Sequence, residues 1–197
     1  MADTNDRPTT TRLPAAERRR QLLEVALQVF ADKGFYGTSM NEVAEAAGVT
    51  KPVLYQHFTS KEALYRELVD ELGTRLERAI VEGVADADGP RQQVEAGFHA
   101  YFRWATREGP AFRVLFAEHN RADPVLATAI EKVESAVADR VAGFIEVEGL
   151  SDDERQVLAY GVVGLAESTS RHWLGLGLGP GTGADAFAAQ LAQLAWS

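Results

Sequence analysis

Apolar residues recur every three to four positions through most of the chain, the spacing of helices with one buried face. Leu22, Ala26, Val29 and Phe30 share a face, and Gly34 stands where such a helix stops. Leu64, Leu68, Leu72, Leu76 and Ile80 form a longer stripe. Val94, Phe98, Tyr101, Phe102 and Ala105 form a third, and Leu126, Ile130, Val133, Val137, Val141 and Phe144 a fourth. Gly109-Pro110 and Asp123-Pro124 punctuate between them. There is no sustained two-residue alternation and no Asn-Gly or Asp-Gly hairpin turn. The pattern predicts an all-α chain of about nine helices.

The last third is patterned differently. Val157 to Ala166 reads VLAYGVVGLA, and Ala184 to Trp196 carries only Asp185, Gln190 and Gln193 as polar residues. A helix apolar all round is a buried one. Two such helices at the end of a small chain point to burial against a second copy, in a symmetric dimer. Leu158, Val162, Leu165, Phe187, Leu191 and Leu194 are the expected interface.

The stretch from Gly37 to Ser60 is the most informative. Ser39-Met40-Asn41-Glu42 fits a capping box, with Ser39 as N-cap and Glu42 three residues on. The helix it opens is short, with Met40, Val43, Ala44 and Ala47 inward, and Gly48 closes it. Thr50 offers the next N-cap, and Pro52 falls in the first turn of a helix from Lys51 to about His57. Two short helices joined by a tight Gly turn match a helix-turn-helix, whose second helix enters the DNA major groove. Val49, Leu54 and Phe58 can pack inward, leaving Lys51, Pro52, Val53, Tyr55, Gln56 and His57 outward or at the edge. No acid occurs from Thr50 to Ser60. Such a face suits phosphates, base edges and thymine methyls.

Charge sharpens this. The 197 residues carry a formal net charge of −9, yet the first 65 hold eight Lys/Arg and eight Asp/Glu, so the whole excess falls on the rest. An acidic protein is a poor nonspecific partner for nucleic acid, but its neutral first third leaves room for a local contact surface. There is no cysteine, which excludes disulfide scaffolds, thiolate zinc sites and cysteine nucleophiles. The polar segment Met1 to Arg12 reads as a disordered arm rather than a secretory signal. Gln156 to Ala166 is too short for a membrane span. The expected location is cytoplasmic.

From Phe30 to Tyr65 the sequence FADKGFYGTSMNEVAEAAGVTKPVLYQHFTSKEALY resembles the TetR (TetR/AcrR) family of bacterial transcriptional regulators. The resemblance covers Ala16 to about Leu64. It implies that Thr38 and Ser39 meet phosphate at a helix start. Lys51, Pro52 and Val53 would occupy the base-reading end of the recognition helix. Tyr55, His57 and Lys61 would contact phosphate. Asn41 departs from the Thr or Arg common there. The resemblance also implies an effector pocket in the second domain, where Phe98, Tyr101, Phe102, Arg113, Phe116, His119 and Trp173 are the candidate ligand-binding residues.

No other chemistry converges. His57, His99, His119 and His172 show no zinc-protease spacing, and Ser168, Thr169 and Ser170 lack a hydrolase elbow. The Gly-rich run from Gly175 to Gly183 lacks a preceding strand and a Gly-Lys-Ser ending, so it reads as a link between helices. No catalytic residue, metal site or cofactor is expected. The expected organisation is a disordered arm at 1–12, a helix-turn-helix domain at 13–60 and an effector-binding and dimerisation domain at 61–197. The leading function is a repressor released from a pseudo-palindromic double-stranded operator by a small apolar or aromatic effector. The rivals are an activator of the same fold and a helical-bundle enzyme without DNA binding.

Overall fold

Nine α-helices and no strand make up the described residues, which are 14–116, 124–175 and 183–195 of this computed structural model. The terminal arm, Glu118, His119 and most of the Gly-rich link lie outside them. The helices are α1 (Ala15–Lys33), α2 (Met40–Ala46), α3 (Lys51–His57), α4 (Lys61–Val84), α5 (Gly89–Arg107), α6 (Gly109–Phe116), α7 (Pro124–Ala142), α8 (Asp152–Gly175) and α9 (Ala184–Ala195).

Local chemistry sets the short helices. The Ser39 hydroxyl accepts from the Glu42 N–H at 3.3 Å, and the Glu42 carboxylate accepts from the Ser39 N–H at 2.8 Å. That reciprocal box starts α2. Gly48 takes φ +64° between α2 and α3, a left-handed conformation that costs a side-chain-bearing residue about 1–2 kcal/mol. Thr50 is the α3 N-cap by position, but its hydroxyl caps nothing. A second box, Ser151 with Glu154, opens α8.

α4 is the spine. Its Leu64, Tyr65, Leu68, Val69, Leu72, Leu76, Ile80 and Val84 are buried. At its N-terminal end the ring of Tyr65 meets Phe30 and Phe35 edge-on, both at 5.2 Å between centroids. Its hydroxyl donates to the Val114 carbonyl of α6 at 3.1 Å. Burial pushes the Tyr65 hydroxyl pKa well above the ordinary tyrosine value. Midway, Gly73 lets α7 close in: a Cβ there would lie 2.7 Å and 2.9 Å from the Val133 methyls.

Candidate nucleic-acid interface and apolar cavity

The outer face of α3 is what the pattern predicts. Lys51, Pro52, Tyr55 and Gln56 are exposed, Val53 and His57 are half-buried, and Leu54 and Phe58 are buried. Ser39 is exposed at the start of α2. Thr38 is only 3% exposed, and its hydroxyl donates to the Gly34 carbonyl at 2.8 Å. That side chain ties the end of α1 rather than facing outward.

Two cations hold this head together. Arg19 of α1 donates to both carboxylate oxygens of Glu67 on α4 and to the His57 carbonyl at the end of α3. Its guanidinium also lies 4.4 Å over the Phe58 ring. A planar fork suits that several-sided grip. The Lys61 ammonium donates to the Phe35 and Thr38 carbonyls at 2.8 and 2.9 Å and sits 4.3 Å from the Phe35 ring centroid. Those two bonds use two of the three donors of a lysine. Neither grip is visible in a local pattern, because Arg19 and Glu67 stand 48 residues apart.

The body encloses an apolar cavity of about 200 Å³. Leu76, Ile80 and Val84 of α4 form one wall. Pro90, Gln93, Val94, Gly97, Phe98 and Tyr101 of α5 form a second. Val133, Glu134, Val137 and Val141 of α7, Leu158, Val162, Val163, Ala166 and Glu167 of α8, and Phe116 of α6 close it. The Tyr101 hydroxyl is 3.0 Å from the Ser170 hydroxyl, and burial raises its pKa far above the ordinary value. The Gln93 Oε1 is buried and accepts no hydrogen bond. Glu167 is 7% exposed and pairs with Arg171.

Of the expected ligand residues, Phe98, Tyr101 and Phe116 line this cavity. Phe102 and Trp173 do not. They form an aromatic cluster with Phe187 that joins α5, α8 and α9, at 5.9 and 5.3 Å from Phe102 to the other two rings. Arg113 lies at the α1–α6 junction, donating to the Ala31 carbonyl at 3.3 Å. His119 falls outside the described residues. Helix periodicity marks an inward residue but not which neighbour it meets, which is why aromatics of the cavity and of the cluster looked alike. The aliphatic walls and the acids were missed. Glu167, an acid closing the apolar run of α8, was the available signal.

The expected interface residues also divide. Within one chain Leu191 is buried, and Val162, Leu165 and Phe187 pack partly against the core. Leu158 and Leu194 are 47% and 61% exposed, and so are Val157 and Tyr160 at 71% and 47%. Gly161 and Gly164 have open space beyond them.

Residues 22–68 match the model of the bacterial regulatory proteins of the tetR family, and residues 90–197 match the tetracyclin repressor-like C-terminal domain. The chain belongs to the TetR family. It is 33% identical over 164 residues to the HTH-type transcriptional activator FasR of Mycolicibacterium smegmatis, covering 83% of this chain and 75% of the relative. A TetR-like regulator from Rhodococcus sp. RHA1 superposes with a TM-score of 0.75 at 26% identity, over 94% of this chain and 97% of that one. FadR of Bacillus subtilis, solved with stearoyl-CoA, shares the fold at 18% identity with a TM-score of 0.77, over 90% and 97%. The chain is thus a TetR-family transcriptional regulator, with the family's helix-turn-helix and its second helical domain.

Proposed function

We propose that this regulator is a ligand-responsive repressor that acts as a homodimer in the cytoplasm. The observation that carries the DNA-binding part is the acid-free outer face of α3 on an otherwise acidic protein. Lys51, Pro52 and Val53 read base edges, while Tyr55, His57, Ser39 and Lys61 meet phosphates. Each subunit sets one α3 in a major groove of a pseudo-palindromic operator. The exposed apolar stripe of α8 and α9, with Gly161 and Gly164 permitting close approach, is the face that pairs the subunits. The role is binding, not catalysis.

The signal is a small apolar molecule in the cavity. Apolar walls with a few polar groups suit such ligands, and FadR, a protein of this fold solved in complex with stearoyl-CoA, supports the reading of a ligand-responsive regulator. α4 contributes a cavity wall and also holds the DNA-reading head through Tyr65 and Glu67. A ligand that lowers operator affinity tenfold must itself bind tenfold less well to the DNA-bound form, a coupling of about 1.4 kcal/mol. The similarity to FasR supports a second reading, in which the same binding event activates transcription.

The test has two steps. Affinity for duplex DNA is measured against salt, where a steep slope is expected. Compounds that raise the melting temperature are then titrated with and without a selected operator. Equal affinity for free and DNA-bound protein would sink ligand-controlled release.

A further inference from the structure

The cavity wall is uneven. Phe98, Tyr101, Phe116 and Ala166 of the lining are buried. Three other lining residues also face solvent. Leu158 of α8 and Val147 of the α7–α8 turn are 47% and 42% exposed, and Ala195 at the end of α9 is exposed. There the wall is one side chain thick. Leu158 and Ala195 stand next to Val157, Tyr160 and Leu194, which are exposed and do not line the cavity. The thin part of the wall therefore runs into the exposed apolar stripe of α8 and α9.

Charge indicates what covers it. The chain is 25% charged with a net −9, yet no charged residue occurs from Gln156 to Ala166. A two-fold interface sets each patch against its own copy. An acidic chain meets itself without like-charge repulsion through a neutral face. Sites for small ligands also bury most of the ligand surface. In a lone chain the Leu158–Ala195 side has water behind it, so a guest stays partly wet and its wall is not held. A second copy packed on the stripe backs that wall and dries it. We propose that the ligand site is complete only in the dimer: the second copy closes each cavity with its α8–α9 face, so guest binding and pairing strengthen one another. This rests on the cavity and dimer readings above. Covering two methylenes of a guest is worth roughly tenfold in affinity. With two sites per dimer, a gain of that size at each tightens pairing by its square, about 100-fold. Release from the operator then comes from reorienting the two heads, not from separating the subunits.

The probe is 1-octanol, since about 200 Å³ exceeds the roughly 150 Å³ of a cavity known to take benzene. Calorimetric titration compares the full-length wild type with Gly164→Arg. Gly164 lies outside the lining, so the variant removes no contact to the guest. Gly164→Arg should sediment as a folded monomer and bind octanol at least fivefold more weakly than the wild-type dimer. Saturating octanol should lower the dissociation constant of the wild-type dimer by about 25-fold or more in sedimentation equilibrium. A folded monomer that loses less than fivefold overturns the proposal, as does a wild-type dimer constant that moves less than that. If Gly164→Arg does not fold, the double variant Val157→Glu with Tyr160→Glu replaces it, at exposed positions that also lie outside the lining. A variant that stays dimeric overturns the proposal too, because the closing face is then elsewhere. If octanol does not bind the wild type, the cavity reading falls with the proposal. If the wild type is a monomer, the dimer reading falls with it.

Discussion

Replacing Arg19 with alanine separates a clamp from a DNA contact. In the folded chain its guanidinium grips Glu67, the His57 carbonyl and the face of Phe58. The Arg19 and Glu67 side chains are 39% and 35% exposed, so their ion pair is worth no more than about 1 kcal/mol. The bond to the His57 carbonyl adds roughly 1 kcal/mol, the value of an ordinary hydrogen bond rather than a charged one, because water reaches the site. The Phe58 contact adds about 0.5 kcal/mol. Neighbouring terms do not simply add, and about 2 kcal/mol is the expected total. In a chain of this size that lowers the Tm by roughly 4–8 °C. The end of α3 loses its anchor, so operator affinity should fall several-fold. The phosphate count does not change, so the log–log salt slope should stay the same. Thermal melts and operator titrations at four salt concentrations measure both. An unchanged Tm with a slope reduced by roughly 1.8, two lost contacts per dimer, would mean that Arg19 binds phosphate instead.

Three further outcomes are expected. Lys33 and Ser39 hold the Glu42 carboxyl down at about 2 against an ordinary 4.5, so its stabilisation is complete above pH 4.5 and fades as pH falls toward 2. Acid titration should show a shallower loss of stability through that window in Glu42→Gln than in the wild type. Gly73→Ala should destabilise by about 1 kcal/mol, since overpacking against Val133 exceeds the roughly 1 kcal/mol gained in helix propensity. In denaturant melts, adding Gly73→Ala to Val133→Ala should instead stabilise. A Cβ at Gly164 has nothing within 4 Å among the described residues, so Gly164→Arg should leave the fold intact and yield monomers in sedimentation. A persistent dimer would move the interface elsewhere.

Where local chemistry decides structure, the sequence was readable. The bounds of α3 followed from Pro52, the Gly48 turn and the inward pair Leu54 and Phe58, and the Ser39–Glu42 box formed as its spacing implied. Side chains that reach across the fold were not readable. Lys61 was read as a phosphate contact at a helix start, and only the turn folded back from Phe35 to Thr38 shows where two of its protons go. The apolar run of α8 suggested burial on all sides, yet Ala159 is enclosed while Val157 faces out. Composition cannot separate a face that packs inside one chain from a face left for another.

In the proposed function, α3 reads DNA sequence as one of a symmetric pair. Selection of bound sequences from a random duplex pool, run on the wild type and on Lys51→Ala, tests it most directly. An inverted repeat should emerge for the wild type, and Lys51→Ala should shift the preferred bases in both half-sites. No enriched sequence, or the same repeat from both proteins with α3 otherwise replaceable, would contradict it.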